Sequence, residues 1–171
     1  MKSYLVLMPF FMEYEKSICN EFKKRYEVTL YDNEKDLYEI DKYIQDRFWL
    51  RVLRQFFLYI KKLDVFYEHM ENKFADKNLD ILLRKKYDEI LCINGHLLAD
   101  KVYRSLKENN PDTKMRLYLW DDAKILRKNT HFKYFDEVMS FNMDECKKYG
   151  SLHTYLELLY DIRDKISFQE L

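Results

Sequence analysis

The chain has 171 residues, 47% of them hydrophobic, with 30 Lys+Arg against 30 Asp+Glu and a formal net charge of zero. That length is enough for one domain with a substantial core. The balanced charge argues against a nucleic-acid footprint and against docking on an anionic membrane through net charge. The two glycines and two prolines are too few for a flexible linker or a disordered tail.

The short apolar run at 4–8, ended by Pro9, predicts a buried parallel strand. It is too short for a signal-peptide core or a membrane span. Ile18, Cys19 and Phe22 recur at helical spacing over residues 13–25, with Lys23, Lys24 and Arg25 in the last turn, where cations suit the helix dipole. Residues 27–31 predict a second strand, ended by a turn at Asp32-Asn33. Together these form a right-handed βαβ unit.

From 36 to 86 there is neither glycine nor proline. Phe48, Val52, Phe56, Tyr59, Ile60 and Leu63 fall at helical intervals, predicting two or three helices at about 41–63 and 66–86. This stretch exceeds one crossover helix and reads as a helical insertion at about 36–86. Its basic residues Arg47, Arg51, Arg54, Lys61 and Lys62 alternate with aromatics. The amphipathic pattern predicts a solvated helix face whose other side packs on the sheet.

The sheet pattern resumes at 87–93, followed by the loop Asn94-Gly95-His96 and a helix over 97–108 stopped by Asn109-Asn110-Pro111. Residues 115–120 predict a strand ending in Asp121-Asp122, with a short helix over 123–128. Residues 135–141 predict another strand, 143–149 a brief helix capped by Gly150, and 153–159 a last strand. The expected fold is α/β, a Rossmann-like, doubly wound, mostly parallel sheet of about five or six strands in one domain over 1–171.

In such sheets ligands bind beyond the carboxyl ends of the strands. The candidate ligand-binding residues are Pro9 and Phe10 after the first strand, Asn94, Gly95 and His96 after the third, Trp120, Asp121 and Asp122 after the fourth, and Asn142 after the fifth. Gly95 permits a positive φ or a close backbone approach, and His96 could act as a base or a donor. Asp121 and Asp122 could bind a hydroxyl, act as a base or help hold a cation; helix capping is the plainer reading. No Asp-x-Asp, GxGxxG, GxxxxGK[ST], GxSxG, HExxH or CxxC pattern is present, so no metal site and no cofactor is expected. Cys19, Cys92 and Cys146 are expected as free thiols in a reducing cytoplasm.

Residues 87–95, 117–122, 134–142 and 144–150 form an ordered series that resembles bacterial glycosyltransferase-like proteins of capsule and lipopolysaccharide clusters. The family's pattern is a strand ending in a Lys-Gly or Asn-Gly turn, a Leu-Tyr-Leu-Trp-Asp strand, a Tyr-Phe-Asp-x-Val-x-Ser-Phe strand and an Asp-x-Lys-Tyr-Gly helix, the last of which this chain carries in the longer form Asp144-Glu145-Cys146-Lys147-Lys148-Tyr149-Gly150. The resemblance implies the N-terminal, acceptor-side domain of a GT-B architecture whose C-terminal donor domain is absent, not catalytic by itself. It implies a glycan or lipid-linked sugar acceptor, a separate donor-domain protein or a homodimer as partner, and a cytoplasmic site, at most peripheral at the inner face of the membrane. The alternative is a non-catalytic protein–protein interaction module or dimerising domain on the same fold. A third option is a small-ligand or nucleotide sensor on a flavodoxin-like sheet, although receiver-like acids after the first strand are missing.

Overall fold

The structure, a computed structural model, describes residues 1–10, 13–94, 98–120, 129–140 and 147. In chain order its elements are β1 (Ser3–Met8), α1 (Tyr14–Lys23), β2 (Glu27–Asp32), α2 (Lys35–Gln45), α3 (Phe48–Tyr59), α4 (Leu63–Leu82), β3 (Glu89–Ile93), α5 (Asp100–Asn109), β4 (Lys114–Leu119), a 3-10 helix (Asn129–Tyr134) and β5 (Glu137–Ser140). The five strands form one sheet in the order β2-β1-β3-β4-β5, and every neighbouring pair is parallel. The doubly wound α/β class expected from the sequence is the one observed.

Burial on both faces explains why the strands read as unbroken apolar runs. On one face Leu5, Leu7, Ile90, Cys92, Leu117 and Leu119 pack under α4 and α5, meeting Leu79, Leu82, Val102 and Leu106. On the other, Tyr4, Val6, Met8, Leu91, Ile93 and Tyr118 pack against Ile18 and Phe22 of α1. The alternation along β1 is the two-residue period of a strand, with each register position committed to one of two cores.

The start of β3 is held by a polar latch. The Tyr87 N–H donates to the Asn110 side-chain oxygen at 2.9 Å, and the Asn110 amide donates to the Leu106 carbonyl at 2.9 Å. The Thr113 hydroxyl donates to the Tyr87 carbonyl. Sequence reading treated Asn110 only as a helix stop; it also ties α5 to the strand on the other side of the crossover.

Between β2 and β3 the helical stretch divides into three helices, the upper of the two expected numbers, with breaks at 46–47 and 60–62 in place of the expected spans at about 41–63 and 66–86. Asp46 and Arg47 break α2 from α3, with Arg47 in an extended conformation (φ −126°, ψ 109°). Ile40, Ile44, Leu50, Phe66, Tyr67 and Met70 form a separate small core joining α2, α3 and α4. The expected packing stripe is corrected here. Leu50 and partly buried Phe57 face this core, whereas Phe48, Val52, Phe56, Tyr59 and Ile60 are exposed. A helix apolar on two faces does not reveal by periodicity which face is buried.

The expected helices at 123–128 and 143–149 and the expected strand at 153–159 lie outside the described residues. No helix among the described residues is long and apolar enough to cross a membrane.

Candidate functional site at the sheet switch point

The chain runs from β1 to β2 on one side and then crosses to β3 on the other side of β1. Connections therefore leave the carboxyl ends of β1 and β3 in opposite directions, the position at which open parallel sheets place a ligand crevice. Of the candidate residues, Pro9 and Phe10 follow β1, Asn94 follows β3 and Trp120 follows β4. Pro9 is buried, while Phe10 is 43% exposed. Gly95, His96, Asp121, Asp122 and Asn142 lie outside the described residues.

Asn94 and Trp120 are brought together. The Trp120 N–H donates to the Asn94 side-chain oxygen at 2.8 Å, and the Asn94 N–H donates to the Tyr118 carbonyl at 3.0 Å. Asn94 itself has a φ of 51°. A left-handed residue thus stands directly before Gly95, which itself lies outside the described residues. Asparagine tolerates that conformation better than most residues because its short side chain bonds locally.

Asn33 supplies a second clasp that the sequence analysis missed. Its N–H donates to the Met8 carbonyl at 3.2 Å, and its side-chain amide donates to the Ile93 carbonyl at 3.0 Å. The side chain thus reaches from the end of β2 over β1 to β3, and Asn33 is fully buried. Its Oδ1 finds no donor among the described residues. Leaving an amide oxygen buried and unpaired costs about 1–3 kcal/mol, which marks the position as one where a donor is wanted. The carboxyl-end rule applied to β2 as well as to the other strands would have nominated Asn33.

Two further residues join the site from α1, whose first turn follows β1 by a short connection. The Tyr14 ring meets the Trp120 ring edge-on, centroids 5.9 Å apart at 73°. Glu15, in that first turn, has a buried Oε2 that also lacks a donor among the described residues. The carboxyl end of the sheet at this point therefore carries the rings of Phe10, Tyr14 and Trp120 and two buried acceptor oxygens.

Nucleophilic chemistry at Cys92 is not favoured. Burial pushes its thiol up to about 12, and the Tyr103 hydroxyl lies 3.5 Å away; the reactive form is the thiolate. Beyond β2, Asp36 in the first turn of α2 accepts a hydrogen bond from the side-chain amide of Asn78 in α4. The Tyr31 hydroxyl donates to it at 3.4 Å. Burial pushes the Asp36 carboxyl up to about 6. An open hollow of about 430 Å³ beyond β2 is lined by Asp32, Glu34, Lys35, Leu37, Tyr38 and Asp41.

Comparison with known proteins finds no matching family model and no matching curated protein. Among solved structures, the chain is similar to a response regulator protein from Burkholderia pseudomallei, whose crystal structure carries a phosphorylated aspartic acid, a calcium ion and citrate. The two are 11% identical with a TM-score of 0.46, over 100% of this chain and 76% of that one. The expected glycosyltransferase-like family is therefore corrected. No family model or curated protein supports it, and the solved structure found is a response regulator. The acceptor-side function, the polysaccharide-biosynthesis setting and the alternative of an interaction or dimerising module fall with it.

The physical reason lies in what the motif series encodes. Its strand motifs overlap β3, β4 and β5, each an apolar run followed by a polar turn. Any parallel α/β sheet covered on both faces produces that pattern, so the order of the motifs reports the fold and not the chemistry.

Proposed function

We propose that this chain is a small-ligand-binding domain that takes an uncharged, ring-bearing molecule with hydrogen-bond donors, of nucleoside type, at the β1/β3 switch point. The observation that carries the reading is Asn33, buried across the carboxyl ends of β1 and β3 with its Oδ1 unpaired among the described residues. A ligand N–H or O–H placed there removes the cost of the orphaned oxygen, and Glu15 Oε2 offers a second acceptor at the same end of the sheet. Phe10, Tyr14 and Trp120 supply the faces and edges on which a planar ring packs.

The same residues disfavour a phosphate. The loop after β1 begins Pro9-Phe10 and contains no glycine up to Glu13, so it offers few free amides to an anion. The Glu15 carboxylate repels one. A cytoplasmic setting belongs to the same reading, supported by the free thiols of Cys19 and Cys92.

Calorimetric titration tests the proposal. Adenosine is expected to bind at least about tenfold more tightly than adenosine monophosphate, a gap of about 1.4 kcal/mol. Equal or tighter binding of the monophosphate, or no binding of any of the four ribonucleosides, contradicts it.

A further inference from the structure

We infer that the outward face of α3 is a docking surface for an anionic lipid bilayer, a property separate from the ligand crevice. The helix packs on α2 and α4 and buries Leu50 in the small helical core. Its other apolar face has no partner among the described residues. Phe48, Trp49, Val52, Phe56, Tyr59 and Ile60 are between 38% and 86% exposed. At 100° per residue these positions fall within one arc of the helix, separate from that of Leu50 and Phe57, so they form one continuous stripe. Soluble domains rarely leave so large a contiguous apolar surface without an occupant.

Charge identifies the occupant. From 47 to 62 there are five cations, Arg47, Arg51, Arg54, Lys61 and Lys62, and no acid; the first acids on either side are Asp46 and Asp64. The chain as a whole is neutral, so this is a local concentration of positive charge that the net balance conceals. The Arg51 guanidinium lies 5.7 Å from the centre of the Phe48 ring, and the Arg47 guanidinium 3.6 Å from that of Tyr43. Arg51 therefore borders the apolar stripe beside Phe48, and the exposed Lys61 and Lys62 follow its C-terminal end at Ile60. Trp, Tyr and Phe beside Arg and Lys is the composition of a helix lying in the headgroup region, rings among the upper acyl chains and cations on lipid phosphates. A protein partner would have to supply matching acids and a complementary groove. A bilayer containing anionic lipid supplies both the apolar layer and the negative charge.

The helix lies on the membrane and does not cross it. Its 12 residues span about 18 Å, against a hydrocarbon core of about 30 Å. Because α3 is held on the small core of α2 and α4, the face is already formed before docking, and no folding step is required.

Flotation of the full chain with vesicles of phosphatidylcholine alone, and of phosphatidylcholine with phosphatidylserine, tests the inference. Wild-type chain is expected to float with the phosphatidylserine vesicles, at least about tenfold more than with phosphatidylcholine alone, and less at high salt. Two exposed-site variants, Trp49→Ser with Phe56→Ser and Arg51→Glu with Lys61→Glu, are each expected to lose at least about tenfold in partitioning. Circular dichroism should show that both keep the wild-type fold. Chain that stays in the soluble fraction with both vesicles, or floats equally with both, overturns the inference. So does a dimer in light scattering that the Trp49→Ser/Phe56→Ser variant dissolves, since it assigns the face to a second copy. Nucleoside titrations contain no lipid, so the two proposals fail separately.

Discussion

The Asn33 side-chain amide donates to the carbonyl of Ile93 at 3.0 Å, although β1 lies between their two strands. A single buried side chain thus bridges three neighbouring strand ends at the point where the chain reverses its winding direction.

Removing that bridge should be costly in a graded way. Asn33→Ala is expected to lose about 1–3 kcal/mol of stability in urea unfolding, since the Ile93 carbonyl is left buried without a donor. Asn33→Asp should lose more, because a carboxylate at that site cannot donate to Ile93 and places a charge beside a carbonyl oxygen. An aspartate variant as stable as wild type would show that the bridge contributes nothing.

Asp36 gives a pH dependence of defined sign. Its folded carboxyl titrates near 6, above the ordinary 3.8, chiefly through burial. The protonated form is favoured in the folded state, so this contribution to stability is fully present below about 3.8 and is lost as pH rises through about 6. A rise of roughly two units corresponds to about 3 kcal/mol. Asp36→Asn keeps an acceptor for Asn78 and cannot ionise. Its stability relative to wild type is expected to increase by about 1–3 kcal/mol between pH 4 and pH 7. A difference between the two that does not vary with pH would contradict this.

Arg116 joins three strands on the amino-terminal half of the sheet, donating to Glu137 at 2.8 Å and to Glu89 at 2.5 Å. Lys114 and Arg116 hold the Glu137 carboxyl below the usual range, so this stability is present above pH 4.5 and is lost as pH falls. Arg116→Met leaves two partly buried carboxylates without their shared cation. It should cost about 1–3 kcal/mol at neutral pH and progressively less in acid. Urea midpoints measured at pH 3 and pH 7 check this; an equal loss at both would remove the ionic explanation.

Trp120 is expected to matter for binding as well as for packing. Trp120→Ala deletes the ring facing Tyr14 and should weaken adenosine binding at least about tenfold. Trp120→Phe keeps a ring and should retain most of it. Calorimetry on both variants separates the two; equal affinity in all three proteins would place the ligand elsewhere.

Much of the fold was legible because its strands are buried on both faces. Leu5 to Met8 and Ile90 to Ile93 appear in the sequence as unbroken apolar runs for that reason. The order of the helices between them established the doubly wound class. Helix orientation was less legible. In α3 the apolar residues occupy two faces, and only the packing of Leu50 against Phe66 and Met70 in the small core decides which one is covered. At the site, Phe10, Asn94 and Trp120 could be located by the strand-end rule. Asn33 read only as a turn residue, because a hydrogen bond to a residue 60 positions away leaves no local pattern. Tyr14 and Glu15 were hidden in the first turn of an amphipathic helix. The likeness to glycosyltransferases arose from strand and turn spacing, which the sheet imposes whatever its ligand.

The central claim is that an uncharged ring ligand donates hydrogen bonds to the crevice at Asn33, and amide NMR tests it most directly. On adding the four ribonucleosides one at a time, at least one should shift the side-chain amide signals of Asn33 and Asn94 and the indole signal of Trp120. The α3 amide signals should stay in place. No shift at Asn33 with any of the four at millimolar concentration, or shifts confined to α3, would contradict the account.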